Sequence, residues 1–301
     1  MTAGSIATAC PLCGGTKLKL HLDGSDHALD PSAFGSSRTS LSFGRILRCA
    51  DCGFGFTETR PSAEQLRKLY ERMDTAVYES ETAGRIRTAR RHLRILTEHA
   101  RQAGRLLDVG CASGRFVEAA ADPGWSAVGI EPSETLSAQA KQLLAGRATV
   151  WAATLQEAAL ERASFDAVTM WDVLEHVTNP VEFFETAAAL IRPGGLMAVN
   201  VPNLDSLPAR LLGRRWPLLL PEHLNYFNSR SLQACARRAG LLQLALGSRP
   251  VNFTVKYVLH RTGQHVGLFS RLNAMAQKSA LGDRVVPVWM GEIYAVWRKA
   301  S

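Results

Sequence analysis

With 301 residues the chain has room for one large domain and one small one, and a 46% apolar content can support a sizeable core. The formal charge of +8 is compatible with nucleic acid, an anionic membrane surface or a phosphorylated substrate. No long Lys/Arg run occurs, so a generic arginine-rich surface is the better reading. Met1 to Ala9 has neither the basic start nor the apolar core of a signal peptide, and no stretch is long and apolar enough to cross a bilayer, so a cytoplasmic protein is expected.

Residues 1–60 read as a small module. Cys10-Pro11-Leu12-Cys13-Gly14 and Cys49-Ala50-Asp51-Cys52-Gly53 are two C-x-x-C knuckles, each ending in a glycine that permits the turn. Cys10, Cys13, Cys49 and Cys52 have the pattern of a tetrahedral structural zinc site. Two pairs disfavour a redox C-x-x-C, and a chain without a signal peptide is not expected to form disulfides. Lys17 to Leu47 reads as a hairpin, with Asp23 to Ser40 as its loop and Ile46-Leu47-Arg48 as the strand into the second knuckle. No basic run interleaved with aromatics accompanies the cysteines, so the module reads as a scaffold in preference to a nucleic-acid grip.

Residues 61–104 form a helical connection. Pro61-Ser62-Ala63-Glu64 starts a helix with Leu66, Leu69 and Tyr70 on one face. A second helix is expected from about Ala83 to Ala103, with Ile86, Ala89, Leu93, Leu96 and Ala100 at helical spacing and a solvated arginine face.

Residues 105–301 open on a strand, a tight turn and a helix. Arg105 to Val109 is a buried strand, Gly110, Ala112 and Gly114 alternate through the turn, and Phe116 to Ala120 begins the helix. Asp108 stands where a dinucleotide fingerprint usually has an apolar residue. A carboxylate there suits a cationic amino group better than a pyrophosphate. The next strand, Ser126 to Ile130, ends in Glu131, an acid placed to hold both hydroxyls of a ribose.

Asp108 to Gly114, then Gly129-Ile130-Glu131-Pro132-Ser133, then Phe165 to His176, then Arg192-Pro193-Gly194-Gly195 together resemble the class I S-adenosylmethionine-dependent methyltransferases. The four motifs follow the family's order over roughly residues 83 to 203. The resemblance implies an α/β fold: a seven-stranded Rossmann-like sheet, mostly parallel with an antiparallel last strand, behind the small N-terminal zinc ribbon. It implies S-adenosylmethionine as methyl donor, held by Asp108, Gly110, Cys111, Ala112, Gly114, Glu131 and Pro132. Thr154 and Leu155 follow the third strand, Ala148 to Trp151, where the family usually places an acid or polar group against adenine; here Thr154 or the backbone has to serve. Trp171 and Asp172 end the fourth strand, on the edge that holds ligands in open α/β sheets. Tyr78 is a contact implied by family members whose segment before the helix folds over the donor. The knuckles followed by Arg60-Pro61-Ser62 resemble methyltransferases with an N-terminal zinc ribbon, many of them in sugar, surface-glycan or secondary-metabolite pathways.

Leu174-Glu175-His176 matches the family motif and brings His176 toward the active site. Asn179-Pro180 begins a helix, and Leu196 to Val201 is the fifth strand. Residues 203–230 read as a lid over the acceptor, in which Glu222-His223-Leu224-Asn225-Tyr226-Phe227 resembles a substrate-side loop. His223 first and Tyr226 second are the candidates to remove an acceptor proton. Residues 207–220 also offer leucines, Trp216 and three arginines for weak contact with a membrane surface. Ser229 to Ala239 is a helix, Leu241 to Leu246 the sixth strand and Glu292 to Arg298 the antiparallel seventh. The insertion 251–290 admits a helix from His265 to Leu281 for dimer contact or pocket closure.

The expected function is methyl transfer to a small-molecule, sugar or glycan-type acceptor. Two alternatives remain at this level. A zinc-ribbon RNA methyltransferase would need a dense basic stripe, which is absent. A non-catalytic interaction module would not need Asp108, Gly110, Gly114 and Glu131 intact.

Overall fold

The computed structural model describes residues 5–24, 43–62, 64–66, 68, 81–263 and 279–300. Most of the loop expected at Asp23 to Ser40, the positions Leu69, Tyr70 and Tyr78, and most of the expected helix His265 to Leu281 lie outside these residues.

The N-terminal module contains β1 (Ser5–Ile6), β2 (Leu18–Leu22), β3 (Ile46–Cys49), β4 (Gly55–Thr57) and β5 (Thr59–Arg60). Strands β2, β3 and β4 form an antiparallel meander, and β1 pairs with β5. Ser62 and Gln65 then make a reciprocal capping pair, each backbone N–H donating to the other's side chain.

The helix α1 (Thr82–Thr97) precedes the large sheet. It ends at Thr97, short of the expected Ala103, because His99 and Ala100 both donate to Leu96 O and tighten the last turn. There follow β6 (Arg105–Val109), α2 (Arg115–Ala121), β7 (Ser126–Ile130), α3 (Glu134–Leu144), β8 (Thr149–Trp151), β9 (Phe165–Trp171), α4 (Pro180–Leu190) and β10 (Ile191–Pro202). Then come α5 (Leu207–Leu212), β11 (Asn225–Tyr226), α6 (Ser229–Arg238), β12 (Leu241–Gly247), β13 (Val251–Thr254), α7 (Val255–Gly263), β14 (Val285–Val288) and β15 (Glu292–Lys299). The large sheet has the order β12-β15-β10-β9-β6-β7-β8. Pairs from β8 to β10 are parallel, and β15 runs antiparallel between β10 and β12, as expected. Strand β10 is longer than the expected Leu196 to Val201, because a register shift between Ile191 and Leu196 takes the Arg192-to-Gly195 turn into the strand.

Two features cross the expected module border at residue 60. Strand β11, in the expected lid, adds to the edge of the N-terminal sheet by pairing with β4: Asn225 opposite Phe56, Tyr226 opposite Gly55. Phe54 and Phe56 share one buried cluster with Phe227, Leu232 and the sheet residue Met170. The segment 207–220 is divided. Leu207, Leu211 and Leu212 are exposed, but Trp216 is 1% exposed and donates from Nε1 to Met290 O at 2.7 Å. Trp216 is therefore a core residue, and the expectation that it reaches a membrane surface is corrected. Within the insertion, β13 pairs with β14 and packs on α1, where Gly84 leaves room for the Asn252 carbonyl.

Candidate functional site

The parallel strands β6, β7 and β9 end on the same edge of the sheet, and their ends open into a cavity of about 810 Å³. Asp108 is 2% exposed, and its Oδ1 accepts from Thr169 Oγ1 at 2.7 Å. Burial pushes its carboxyl up to about 7; the Thr169 bond opposes the rise and Glu131 adds to it.

After it the chain turns sharply. Gly110 has φ +70°, and a Cβ there would come within 2.7 Å of Val173 Cγ2, so both conformation and packing require glycine. Ala112 holds φ +48°, a left-handed conformation that costs alanine about 1–2 kcal/mol. Its N–H donates to Glu131 Oε2 at 3.0 Å, and Ser133 N–H donates to Glu131 Oε1 at 2.9 Å. A carboxylate offers about four acceptor positions, so Glu131 keeps two for a ligand. Burial raises its pKa.

Cys111, Pro132, Leu155 and Trp171 also line the cavity. Burial holds the Cys111 thiol well above its usual range, and therefore neutral. Thr154 is there too, but its hydroxyl donates to Glu157 Oε2 at 2.8 Å and accepts from Glu157 N–H. The Thr154 backbone is engaged as well, its N–H donating to Glu157 Oε2 at 2.9 Å and its carbonyl accepting from Ala158 N–H at 3.1 Å. Gly114 is a correction: it is not in the cavity wall. A Cβ on it would meet Ala140 Cβ at 3.0 Å, so this glycine serves the packing of α2 on α3.

The indole of Trp171 stacks on His92 of α1, with centroids 4.0 Å apart, and Phe116 lies against it at 5.2 Å. Burial lowers the His92 pKa to about 3, so the imidazole is neutral. Asp172 has φ +57°, and its Oδ1 accepts from Asn200 Nδ2 at 2.7 Å. The same amide nitrogen donates to Glu292 Oε2 at 2.8 Å, so Asn200 joins two carboxylates. Arg85 of α1 counters the upward push that burial gives Asp172. The sequence reading missed Arg85, Thr88 and His92, which line the cavity, and Asn200, Glu222 and Glu292. The spacing 85, 88, 92 was the available signal, since i, i+3 and i+7 share a helix face.

The segments after β9 and before β11 also line the cavity and meet there, Leu224 N–H donating to Glu175 O at 2.7 Å. His176 and His223 contact edge to face, with ring centroids 4.7 Å apart. The imidazole Nδ1 of His176 lies 3.1 Å from Glu222 O, and that of His223 lies 2.9 Å from Leu218 O. Burial lowers His176 to about 4 and takes His223 well below the usual range. Glu175 is 1% exposed, and its Oε2 has no hydrogen-bond partner among the described residues. Burial, Asp172 and Glu292 all raise its pKa.

Tyr226 is a second correction. It is fully buried, absent from the cavity wall, and packed near Trp216 where β11 meets β4. Its pKa is raised, first by burial and then by Glu222. The register of β11 puts it in the module interface.

The four knuckle cysteines converge. Cys10 Sγ lies 3.6 Å from Cys52 Sγ, and Cys13 Sγ lies 3.6 Å from Cys49 Sγ. Tetrahedral coordination with ~2.3 Å Zn–S bonds needs sulfurs ~3.8 Å apart, and all four lie within 4.8 Å of one another, a set consistent with that ion.

The family described as "Methyltransferase domain" matches residues 78–245. Ubiquinone biosynthesis O-methyltransferase of Bordetella avium is 34% identical over 151 residues, 46% of this chain and 63% of that one. The enzyme of the same name from Agrobacterium fabrum is 38% identical over 114 residues, 36% of this chain and 44% of that one. These matches span less than two thirds of either relative. Among solved structures, a methyltransferase of Thermotoga maritima aligns with a TM-score of 0.51 at 18% identity, over 78% of this chain and 99% of that one. The YcgJ protein of Bacillus subtilis aligns at 0.51 and 14%, over 71% and 99%. Both are similar in fold. On the family match and the strand order, the chain belongs to the methyltransferase domain family.

Proposed function

We propose that the chain transfers a methyl group from S-adenosylmethionine to an oxygen of a small-molecule acceptor. The observation that carries this reading is one cavity lined both by Asp108 and Glu131 and by two neutral imidazoles, His176 and His223. The name of the relatives, ubiquinone biosynthesis O-methyltransferases, favours oxygen as the methylated atom.

S-adenosylmethionine supplies a methyl group already activated on a sulfonium. The free acceptor positions of Glu131 take the ribose hydroxyls. Asp108, poised near pH 7, is drawn to its charged form by an ammonium placed beside it. Ala112 and Cys111 form the turn against which the donor lies, and Trp171 with Phe116 covers it. His176 and His223 receive the acceptor hydroxyl. With its low basicity His223 contributes more by holding that oxygen than by drawing the proton away. Alignment of two bound reactants is worth about 7–11 kcal/mol, more than the about 10²–10⁴-fold from a general base.

Cys10, Cys13, Cys49 and Cys52 are assigned to a structural zinc ion, whose module braces the segment carrying His223. The contacts are backbone pairs and aromatic packing, as suits a scaffold. The test is incubation with methyl-labelled S-adenosylmethionine and a small-molecule extract, with label followed through nuclease, protease and solvent partition. Label in a nuclease-resistant small compound supports the reading. Label released by nuclease replaces it with RNA methylation, and no transfer despite donor binding replaces it with the interaction module.

A further inference from the structure

The helix α1 carries charge that the cavity does not use. Arg91 and Arg94 stand one turn apart on one face of the helix. The segment between β12 and β13 brings Arg249 to them from a distant part of the chain. Arg91 is held between the two elements, donating from Nη1 to Pro250 O and from Nη2 to Asn252 Oδ1 at 3.2 Å. The Arg249 guanidinium lies 5.4 Å from the ring centroid of Tyr294. We infer that Arg91, Arg94 and Arg249 form a binding site for a phosphate group, apart from the methyl-transfer cavity. None of the three lines that cavity, so the inference stands independently of the donor reading.

The three guanidiniums repel one another. Burial lowers the Arg91 pKa, and the charges of Arg249 and Arg94 lower it further. Among the described residues no carboxylate forms an ion pair with Arg91, Arg94 or Arg249. Glu98, at the end of α1, is a full turn beyond Arg94 and does not pair with it. Elsewhere on the surface arginines are neutralised: Arg147 by Glu118 and Asp122, Arg238 by Glu185. A structural tie between α1 and the insertion accounts for Arg91, whose two bonds join them. It does not account for Arg94, which is exposed and makes no side-chain hydrogen bond among the described residues. Nor does it account for Arg249, which is exposed and reaches only Ser248 O, at 3.5 Å.

The chemistry selects the ligand. A phosphate monoester carries about −1.5 to −2 charge at pH 7 and presents about three strong acceptor oxygens, which matches this set of cations in sign and number. A carboxylate has the charge and the oxygens for one guanidinium. Two bonds leave Arg91 with further N–H donors. Arg91 is fixed by those bonds and Arg249 by Tyr294, so less side-chain freedom is lost when the phosphate binds. Asn252, which accepts from Arg91, lines the cavity, and its N–H donates to Thr88 Oγ1 at 3.3 Å. An occupant of the site is therefore one side chain away from the cavity wall.

The experiment is a calorimetric titration of the full chain with inorganic phosphate at about 0.15 M salt, beside cosedimentation with phosphatidylcholine vesicles that contain phosphatidic acid. Both are run on the wild type, on the double variant Arg94→Gln with Arg249→Gln, and on a charge-matched control, Arg147→Gln with Arg238→Gln. Urea midpoints check that each protein is folded. The wild type should bind inorganic phosphate with a Kd below about 1 mM, or be retained by the acidic vesicles. The double variant should bind at least about tenfold more weakly, and the control within about twofold of the wild type. Uptake of free phosphate identifies a soluble phosphorylated ligand, and retention by vesicles alone identifies a lipid headgroup; either supports the site. Failure of both probes with the wild type, binding that the double variant keeps, or equal weakening in the control overturns it.

Discussion

Arg60 ties the N-terminal module to both segments that carry the histidines, and replacing it tests whether the module braces the acceptor end. The guanidinium is 9% exposed. It donates to Leu224 O at 3.1 Å, Thr178 O at 2.7 Å and Asn225 Oδ1 at 3.0 Å. Leu224 follows His223 directly, and Thr178 lies two residues after His176. Arg60→Met keeps most of the apolar stem and removes the donors. Three charge-assisted bonds at about 1.5–3 kcal/mol each give about 5–9 kcal/mol. Burial opposes this: it lowers the Arg60 pKa from 12.5 to about 10, which corresponds to about 3 kcal/mol against the charged form. The net loss of stability is then about 2–6 kcal/mol, which a domain in the middle of the ordinary range of about 5–15 kcal/mol survives. Urea unfolding of the variant should report that loss. S-adenosylhomocysteine affinity should stay within about threefold, while methyl transfer falls at least about tenfold because a small misplacement of reacting groups is costly. A stability loss below about 1 kcal/mol, or donor affinity falling in step with transfer, would refute the bracing role.

Asp108→Asn should change the pH dependence of stability in a defined direction. The folded-state pKa is raised to about 7, so the contribution of Asp108 is full below its unfolded value near 4, is lost as pH rises toward 7, and is constant above. Asparagine mimics the protonated form, so urea midpoints without ligand should show the variant gaining about 2–3 kcal/mol on the wild type between pH 5 and 7; a constant difference contradicts this. Cys49→Ser should abolish zinc content, raise proteolysis of the N-terminal module and reduce methyl transfer, with S-adenosylhomocysteine affinity retained. Loss of donor binding in that variant would mean the module supports the whole domain.

The catalytic sheet was legible because its strands are short apolar runs bounded by turn residues. Arg105–Val109, Ser126–Ile130 and Phe165–Trp171 have the expected bounds. Glu131 was legible for the same reason, since a strand end is a fixed place in this topology. What escaped depends on distant pairing. Asn225–Tyr226 is a two-residue strand whose partner lies some 170 residues earlier, and that pairing turns Tyr226 into the module interface. Gly114 looked like part of the ligand turn because the pattern of small residues cannot distinguish ligand approach from packing of α2 on α3. The arginines of α1 looked uniformly solvated, yet Arg85 faces the cavity once β13 and β14 cover the neighbouring face. Glu175 and His176 stand together in the chain, but the third member of their cluster, His223, is brought in only by the fold.

The most direct measurement is a calorimetric titration of S-adenosylhomocysteine into the wild-type chain and into Glu131→Ala. The expected result is one molecule bound per wild-type chain and affinity at least about 100-fold weaker in the variant, from two lost charge-assisted bonds at about 1.5–3 kcal/mol each. No binding to the wild type, or equal binding to both proteins, would contradict the assignment of this cavity to the methyl donor.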